Sequence, residues 1–366
     1  MTALSASDRS STDRFESTPR AERLLEWFDR VKRPLPWRKD RDPYRVWISE
    51  IMLQQTRVET VLPYYESFLR SFPTVQALAA ASDDEVRSLW SGLGYYRRAI
   101  MLRDAARRVN ESGAFPSCLD GWLDLPGVGR YTAAAVMSIV HGARVAALDG
   151  NLERVLSRIE AFEGDPKSAA GRRHLVTAAR PWLDATRPGD SNQALMELGT
   201  TLCRPKRPVC GQCPIVAHCR AHELGRENEL PVRRSRRRPV ERQLIAVVVQ
   251  EGGRFLLFRR DPDVSLLGDT WELPWVEANG SSPTRSLNAR YGGRWTLGPS
   301  HGLVRHSITH RRLSVTVRSG NFEPPDEVTE GRPARWADLA GLGAIAHSSL
   351  VRKAARLALA AVGRTS

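Results

Sequence analysis

No stretch of this 366-residue chain stays apolar long enough to cross a membrane as a helix, which removes helical membrane-spanning roles. Cysteine is scarce, five residues in all, and with nothing secretory at the N-terminus a disulfide-stapled fold is a poor reading. Residues 1–19 are rich in Ser, Thr, Asp and Arg and lack the hydrophobic stretch of a secretory signal, so a disordered leader, reduced thiols and a cytoplasmic protein are expected. Internal repeats are absent as well, which leaves ordinary globular domains. Acidic residues are the minority charge: 41 Asp and Glu against 55 Lys and Arg, a formal net charge of +14. Such a surplus attracts a polyanionic partner, although an arginine-rich coding background produces the same imbalance. Hydrophobic content of 41% suffices for packed cores, and the length fits two domains.

Four of the five cysteines fall close together as Cys203, Cys210, Cys213 and Cys219, a C-x6-C-x2-C-x5-C pattern that leaves Cys118 over. Four thiolates in one loop are the full ligand set of an iron–sulfur cluster or of a tetrahedral zinc. Such a metal can simply staple a loop. Here Arg204, Lys206 and Arg207 lie between the first two cysteines, and a braced loop displaying cations suits phosphate.

From 20 to 225 the text is helical, with apolar residues at three- and four-residue spacing in 21–30, 43–70, 84–109, 130–141 and 150–162. Asp42-Pro43 reads as an N-cap followed by proline at the first helical position. Residues 226–243 form a basic linker around Arg233, Arg234, Arg236, Arg237 and Arg238. Beyond it the period becomes that of strands: Leu244–Val249 and Phe255–Phe258 flank Gly252-Gly253 as a hairpin, Leu313–Val317 alternates, and 348–362 closes as a helix. The expected protein is multidomain: an all-α domain over 20–225 with the cysteine loop at 203–219, and a C-terminal α+β domain over 244–366.

Leu125-Pro126-Gly127-Val128-Gly129-Arg130-Tyr131-Thr132-Ala133 is a glycine-cornered turn into a helix, where crowded amides and a helix N-terminus attract phosphate. Alone it is an ordinary tight turn. Together with a cysteine loop seventy residues on, it resembles the helix-hairpin-helix superfamily of base-excision DNA glycosylases. The run from Pro43 to Val58 (PYRVWISEIMLQQTRV), Leu35-Pro36-Trp37-Arg38, Gly92-Leu93-Gly94-Tyr95-Tyr96 and Leu148-Asp149-Gly150-Asn151 are similar to MutY-type adenine DNA glycosylases. The likeness spans about 20 to 318.

This resemblance implies an enzyme that flips out and excises adenine mispaired with 8-oxoguanine or guanine in double-stranded DNA. It also implies a [4Fe–4S] cluster on the four cysteines and phosphate contact at Gly127 and Gly129. Glu50, on a helix among Ile48, Ile51, Met52 and Leu53, is read either as a solvated surface carboxylate or as a partly buried acid that protonates the departing base. Asp149 is either a plain helix N-cap or the anion facing the sugar cation. By resemblance Asn151 orients Asp149 or water, Gln55 and Tyr95 fill the gap left in the stack, and Arg38 and Gln193 line the adenine pocket. The C-terminal domain resembles a Nudix-like lesion reader through Ser265-Leu266-Leu267-Gly268-Asp269-Thr270-Trp271-Glu272-Leu273-Pro274, with Thr309 and His310 in the lesion-reading loop. No glutamate cluster able to hold magnesium follows residue 240, so binding without hydrolysis is expected. Ile100, Met101 and Ile308 depart from the family pattern at positions tied to opposite-base discrimination.

A monomer associated with the nucleoid is expected. A sliding clamp or an abasic-site nuclease fits the pathway, but no segment identifies either. Rival readings are an endonuclease III-like glycosylase/lyase and a non-catalytic lesion binder. Tyr131 separates the first of these, since the lyases carry a lysine there and a phenol cannot form a Schiff base. Borohydride trapping on substrate duplex is therefore expected to give no covalent protein–DNA adduct; a trapped adduct would reverse the assignment.

Overall fold

The computed structural model describes residues 18–362 apart from 233–238, 262, 265–266, 281, 309, 326–331 and 346. The leader up to residue 17, the linker arginines 233–238, Ser265, Leu266 and Thr309 lie outside the described residues. The helices run in order as α1 (Pro19–Val31), α2 (Pro43–Leu53), α3 (Val58–Ser71), α4 (Val75–Ala80), α5 (Asp83–Leu89), α6 (Arg97–Ser112), α7 (Leu119–Leu123), α8 (Arg130–Val140), α9 (Gly150–Ile159), α10 (Ala169–Ala179), α11 (Pro188–Thr201) and α12 (Arg220–Glu223). α2 starts where Asp42-Pro43 puts it, and the Asp42 carboxylate accepts the Arg45 N–H at 2.8 Å. The apolar period through 43–70 does not make one helix. It breaks after Leu53, and Gln55 takes a left-handed φ of +57°. A second break separates α5 from α6, through Gly92 (φ +109°), Gly94 (φ +75°) and Tyr95 (φ +52°). A Cβ at Gly92 would press on the Tyr64 hydroxyl as well as sit at a positive φ.

The structure forms two compact units, one within Met1–Glu50 and Phe115–Arg234, the other within Ile51–Ala114 and Ser235–Ser366. Residues 51–114 group with the segment after the linker. In the first unit α1, α9, α10 and α11 close around Leu24, Phe28, Leu156, Leu175, Trp182 and Leu198. Trp47 of α2 meets Trp122 of α7 edge-on, with ring centroids 5.9 Å apart, and Phe115 stacks on Trp122. α9 and α11 approach closely at Gly199, where a Cβ would lie 2.8 Å from the Asn151 Cβ. That approach brings Asn151 beside α11.

In the second unit the C-terminal strands are β1 (Val240–Val248), β2 (Gln250–Glu251), β3 (Arg254–Arg259), β4 (Trp271–Glu272), β5 (Trp275–Glu277), β6 (Arg294–Ile308), β7 (Arg311–Glu323) and β8 (Ala334–Ala337), with helices α13 (Pro283–Tyr291) and α14 (Ser349–Val362). One sheet runs β5-β1-β7-β6, with β1 and β7 parallel; the other runs β2-β3-β4, with β8 also on β3. The pleat sends Leu244, Ala246 and Val248 to a core shared with Val351 and Ala355 of α14. It sends Val247 and Val249 to the opposite face, with Leu287 and Tyr291 of α13.

The Gly252-Gly253 turn forms as expected, both glycines at positive φ (+55° and +77°). Its pairing corrects the expected hairpin. Gln250 and Glu251 face Phe255 and Arg254, whereas β1 belongs to the other sheet. Residues 51–114 bind this part through side chains: Tyr96 Oη donates to the His347 carbonyl at 2.6 Å, and Arg87 pairs with Asp269. Trp47→Ala is expected to destabilise the protein by roughly 3–5 kcal/mol, measured as a shift of the denaturant midpoint. A loss under about 1 kcal/mol, the scale of a surface change, would show that the Trp47–Trp122 pair is not a supporting wall.

Candidate active site

Glu50 sits one turn from the end of α2 and is 6% exposed, so the surface-carboxylate reading does not hold. Its neighbour is a phenol: Tyr131, in the first turn of α8, donates its hydroxyl to Glu50 Oε2 at 2.6 Å. Burial pushes the Glu50 carboxyl up to about 7 against the downward pull of the Tyr131 bond, with Asp149 raising it further and Arg38 lowering it. Burial and the two carboxylates hold the Tyr131 phenol well above its usual range, so it remains a donor.

Asp149 is the N-cap of α9. Its Oδ1 accepts the N–H groups of Asn151 (3.0 Å) and Leu152 (2.7 Å), and its Oδ2 accepts Asn151 Nδ2 at 2.8 Å. The donors that begin the helix also favour the charged form of this carboxyl. Burial is the largest influence and raises the Asp149 carboxyl, while these N–H donors lower it. Asn151 is held in turn: Arg154 Nη2 donates to its Oδ1 at 3.0 Å and to the Gly199 carbonyl at 2.7 Å, and Arg154 Nε donates to the Cys203 carbonyl at 2.8 Å.

Arg38 and Gln193 come together, with Arg38 Nε on Gln193 Oε1 at 2.9 Å. A third group went unnoticed in the sequence. Glu197, 1% exposed, takes Arg38 Nη2 at 3.0 Å and Arg33 Nε at 2.7 Å. Gln193 and Glu197 are one helical turn apart on α11, which is the signal that could have revealed it. Asn192, fully buried, bonds Ser138, the Val145 carbonyl and the Ala147 N–H, fixing the segment that leads to Asp149.

Cys203, Cys210, Cys213 and Cys219 all line one small cavity, and none is in a disulfide. Burial pushes the Cys213 thiol up to about 12 and raises Cys210 and Cys219, with neighbouring sulfurs adding to the shift. Four thiolates in such a place need a cation among them. Arg158, 1% exposed, already points a guanidinium N–H at Cys203 Sγ (3.1 Å), and no carboxylate pairs with it among the described residues. A thiolate-held metal group fits this donor set. Cys210 also has His222 and Glu227 within 4.8 Å, an oxygen–nitrogen–sulfur trio at the cavity edge. The four-sulfur set is the better match to a soft metal.

Gly127 takes φ +77°, and Gly129 caps α8 without a side-chain hydrogen bond, leaving that helix start open. Arg204, Lys206 and Arg207 are exposed on the cysteine loop. In the other unit Gln55 and Tyr95 are exposed, both at positive φ, while Tyr96 is buried. His310 lies between β6 and β7, its carbonyl taking the Val240 N–H at 2.9 Å.

Residues 48–181 match the HhH-GPD superfamily of base excision DNA repair proteins, and residues 244–357 match the NUDIX domain. By class the chain is therefore a base-excision repair protein carrying a second, NUDIX-type domain. The adenine DNA glycosylase of Rattus norvegicus is 37% identical over 396 residues, covering 91% of this chain and 77% of the relative. That of Homo sapiens is 36% identical over 398 residues, covering 91% and 73%. The chain belongs to the adenine DNA glycosylase family. Among solved structures a thermostable thymine-DNA glycosylase is similar, at 29% identity and a TM-score of 0.52 over 56% of this chain and 95% of that one.

The Tyr131 bond favours the ionised Glu50, so removing it should push the carboxyl above about 7. Tyr131→Phe is expected to move the Glu50 titration upward in carboxyl-carbon NMR. A downward or absent shift would show that the phenol does not set this pKa.

Proposed function

We propose that this protein excises adenine from duplex DNA where it is mispaired with 8-oxoguanine or guanine, leaving an abasic site. The observation that carries the proposal is the carboxyl pair of Glu50 and Asp149. One is buried against a phenol and holds its proton to about pH 7; the other accepts three N–H bonds that favour its charged form. Glycosidic cleavage needs that division of labour. Glu50 gives its proton to N7 of the base, the C1′–N9 bond breaks with its electron pair leaving on adenine, and Asp149 faces the sugar cation. Water adds at C1′ and releases a proton. Asn151 holds Asp149 in place. Arg38 and Gln193 present donors to the purine edge, and Gln55 and Tyr95 fill the stack.

The open start of α8 and the exposed Arg204, Lys206 and Arg207 hold phosphates. Thr309 and His310 are assigned to the 8-oxoguanine. The four cysteines hold a [4Fe–4S] cluster that braces the basic loop. Purified protein is expected to contain iron and acid-labile sulfide in equal amounts, with broad visible absorption; zinc alone would contradict the cluster.

Single-turnover release from duplexes carrying A opposite 8-oxoguanine, G or T should be fast, slower and absent, respectively. Glu50→Gln and Asp149→Asn should each lower the rate by roughly 10²–10⁴-fold with DNA binding kept. Full activity in either variant would remove that residue from the chemistry. Equal release opposite all three bases would remove lesion reading from the C-terminal domain.

A further inference from the structure

The two stack-filling residues lie forty positions apart in sequence, yet one side chain holds both turns. Arg98, in the first turn of α6, is part-buried, and its Nη1 donates to the carbonyls of Ile51 (2.7 Å) and Gln54 (2.6 Å), with Met52 at 3.4 Å. Its Nη2 donates to Thr56 Oγ1 (3.4 Å) and to the Gly94 carbonyl (3.3 Å). The guanidinium lies 5.5 Å from the Trp90 ring centroid and 5.4 Å from that of Tyr95. Trp90 Nε1 adds a second donor to Gly94 at 3.1 Å.

Helix ends leave their last carbonyls without intrahelical partners, and glycine commonly turns the chain there. α2 ends otherwise. A glutamine, not a glycine, takes the left-handed position at Gln55 (φ +57°), and Tyr95 takes it in the second turn (φ +52°). Side chains at positive φ are disfavoured unless their surroundings enforce them. Arg98 supplies that enforcement on both sides, since each tip is flanked by a carbonyl bound to the same guanidinium: Gln54 before Gln55, and Gly94 before Tyr95.

We propose that Arg98 is a positioning residue that couples the Gln55 and Tyr95 tips, so that they enter the base stack as one preset wedge. The inference rests on the stack-filling assignment of those two residues. Arg98 touches no substrate in this scheme; it sets the spacing of the groups that do. Lysine keeps the charge but lacks the planar fork that reaches both turns at once.

The test uses full-length protein and two duplexes. One pairs the target adenine with 8-oxoguanine; the other leaves it opposite an abasic gap, where little stack has to be opened. Arg98→Lys and Arg98→Met should slow excision from the first by roughly a hundredfold, the scale of a small misplacement, and change excision from the second only a few-fold. With 2-aminopurine as target base, both variants should lose the fluorescence rise of extrusion, while thermal melting confirms that Arg98→Lys is folded. Arg98→Lys combined with Gln55→Ala should lose less than the product of the separate effects, because both act on one step.

Wild-type excision in the Arg98 variants, or equal losses on the two duplexes, would overturn the coupling while leaving the wedge intact. Wild-type excision in both Gln55→Ala and Tyr95→Ala would instead overturn the stack-filling assignment beneath it.

Discussion

A carboxyl group taken out of water beside a phenol, with no cation bonded to it, has to keep its proton or destabilise the fold. Glu50 is that group, and the first unit is arranged around the condition. Trp47 of α2 packs edge-on against Trp122, on which Phe115 stacks. The nearby cation, Arg38, directs one N–H each at Glu197, Gln193 and the Arg33 carbonyl and acts on Glu50 through its charge alone. Asp149 meets the opposite treatment: it is also largely buried, but three N–H bonds favour its charge. Burial raises both carboxyls, Asp149 raises Glu50 further, and the N–H donors that favour charge act on Asp149.

Features whose causes are local were legible in the sequence. Asp42-Pro43 starts α2, Gly252-Gly253 turns a hairpin, and residues 349–362 close the chain as α14, since capping, positive φ and helical period are decided within a few residues. The break after Leu53 was not visible as a helix end, because it depends on Gln55, a left-handed residue that is not glycine, and on Arg98, more than forty positions away. The hairpin partner was misassigned because β1 finds a parallel neighbour in β7 that lies some seventy residues away. Alternation cannot show which sheet a strand will join.

The candidate site was legible in its motif residues and not in their supports. Glu50, Asp149 and Asn151 carry motif signals and stand close together, as do Arg38 and Gln193. Arg154, Asn192 and Glu197 carry none, being ordinary residue types on α9 and α11, yet they fix the positions of the others. Arg154 ties the Asp149 cap to the Cys203 backbone, and Arg158 ties the same helix to the Cys203 sulfur. One helix, α9, thus bears the Asp149 carboxyl at its start and braces the cysteine loop from its side. The departures at Ile100, Met101 and Ile308 leave this framework untouched.

The central claim is that Glu50 works as an acid because burial keeps it protonated near neutral pH. The direct test is the pH dependence of single-turnover adenine release. Because the folded pKa is raised above the ordinary value of 4.5 to about 7, the acid form dominates below that point and is lost above it. The rate should hold up to about pH 7 and then fall about tenfold per unit. In Glu50→Gln the low residual rate should show no such fall. A rate that stays level through pH 9 in the unaltered protein would contradict the account.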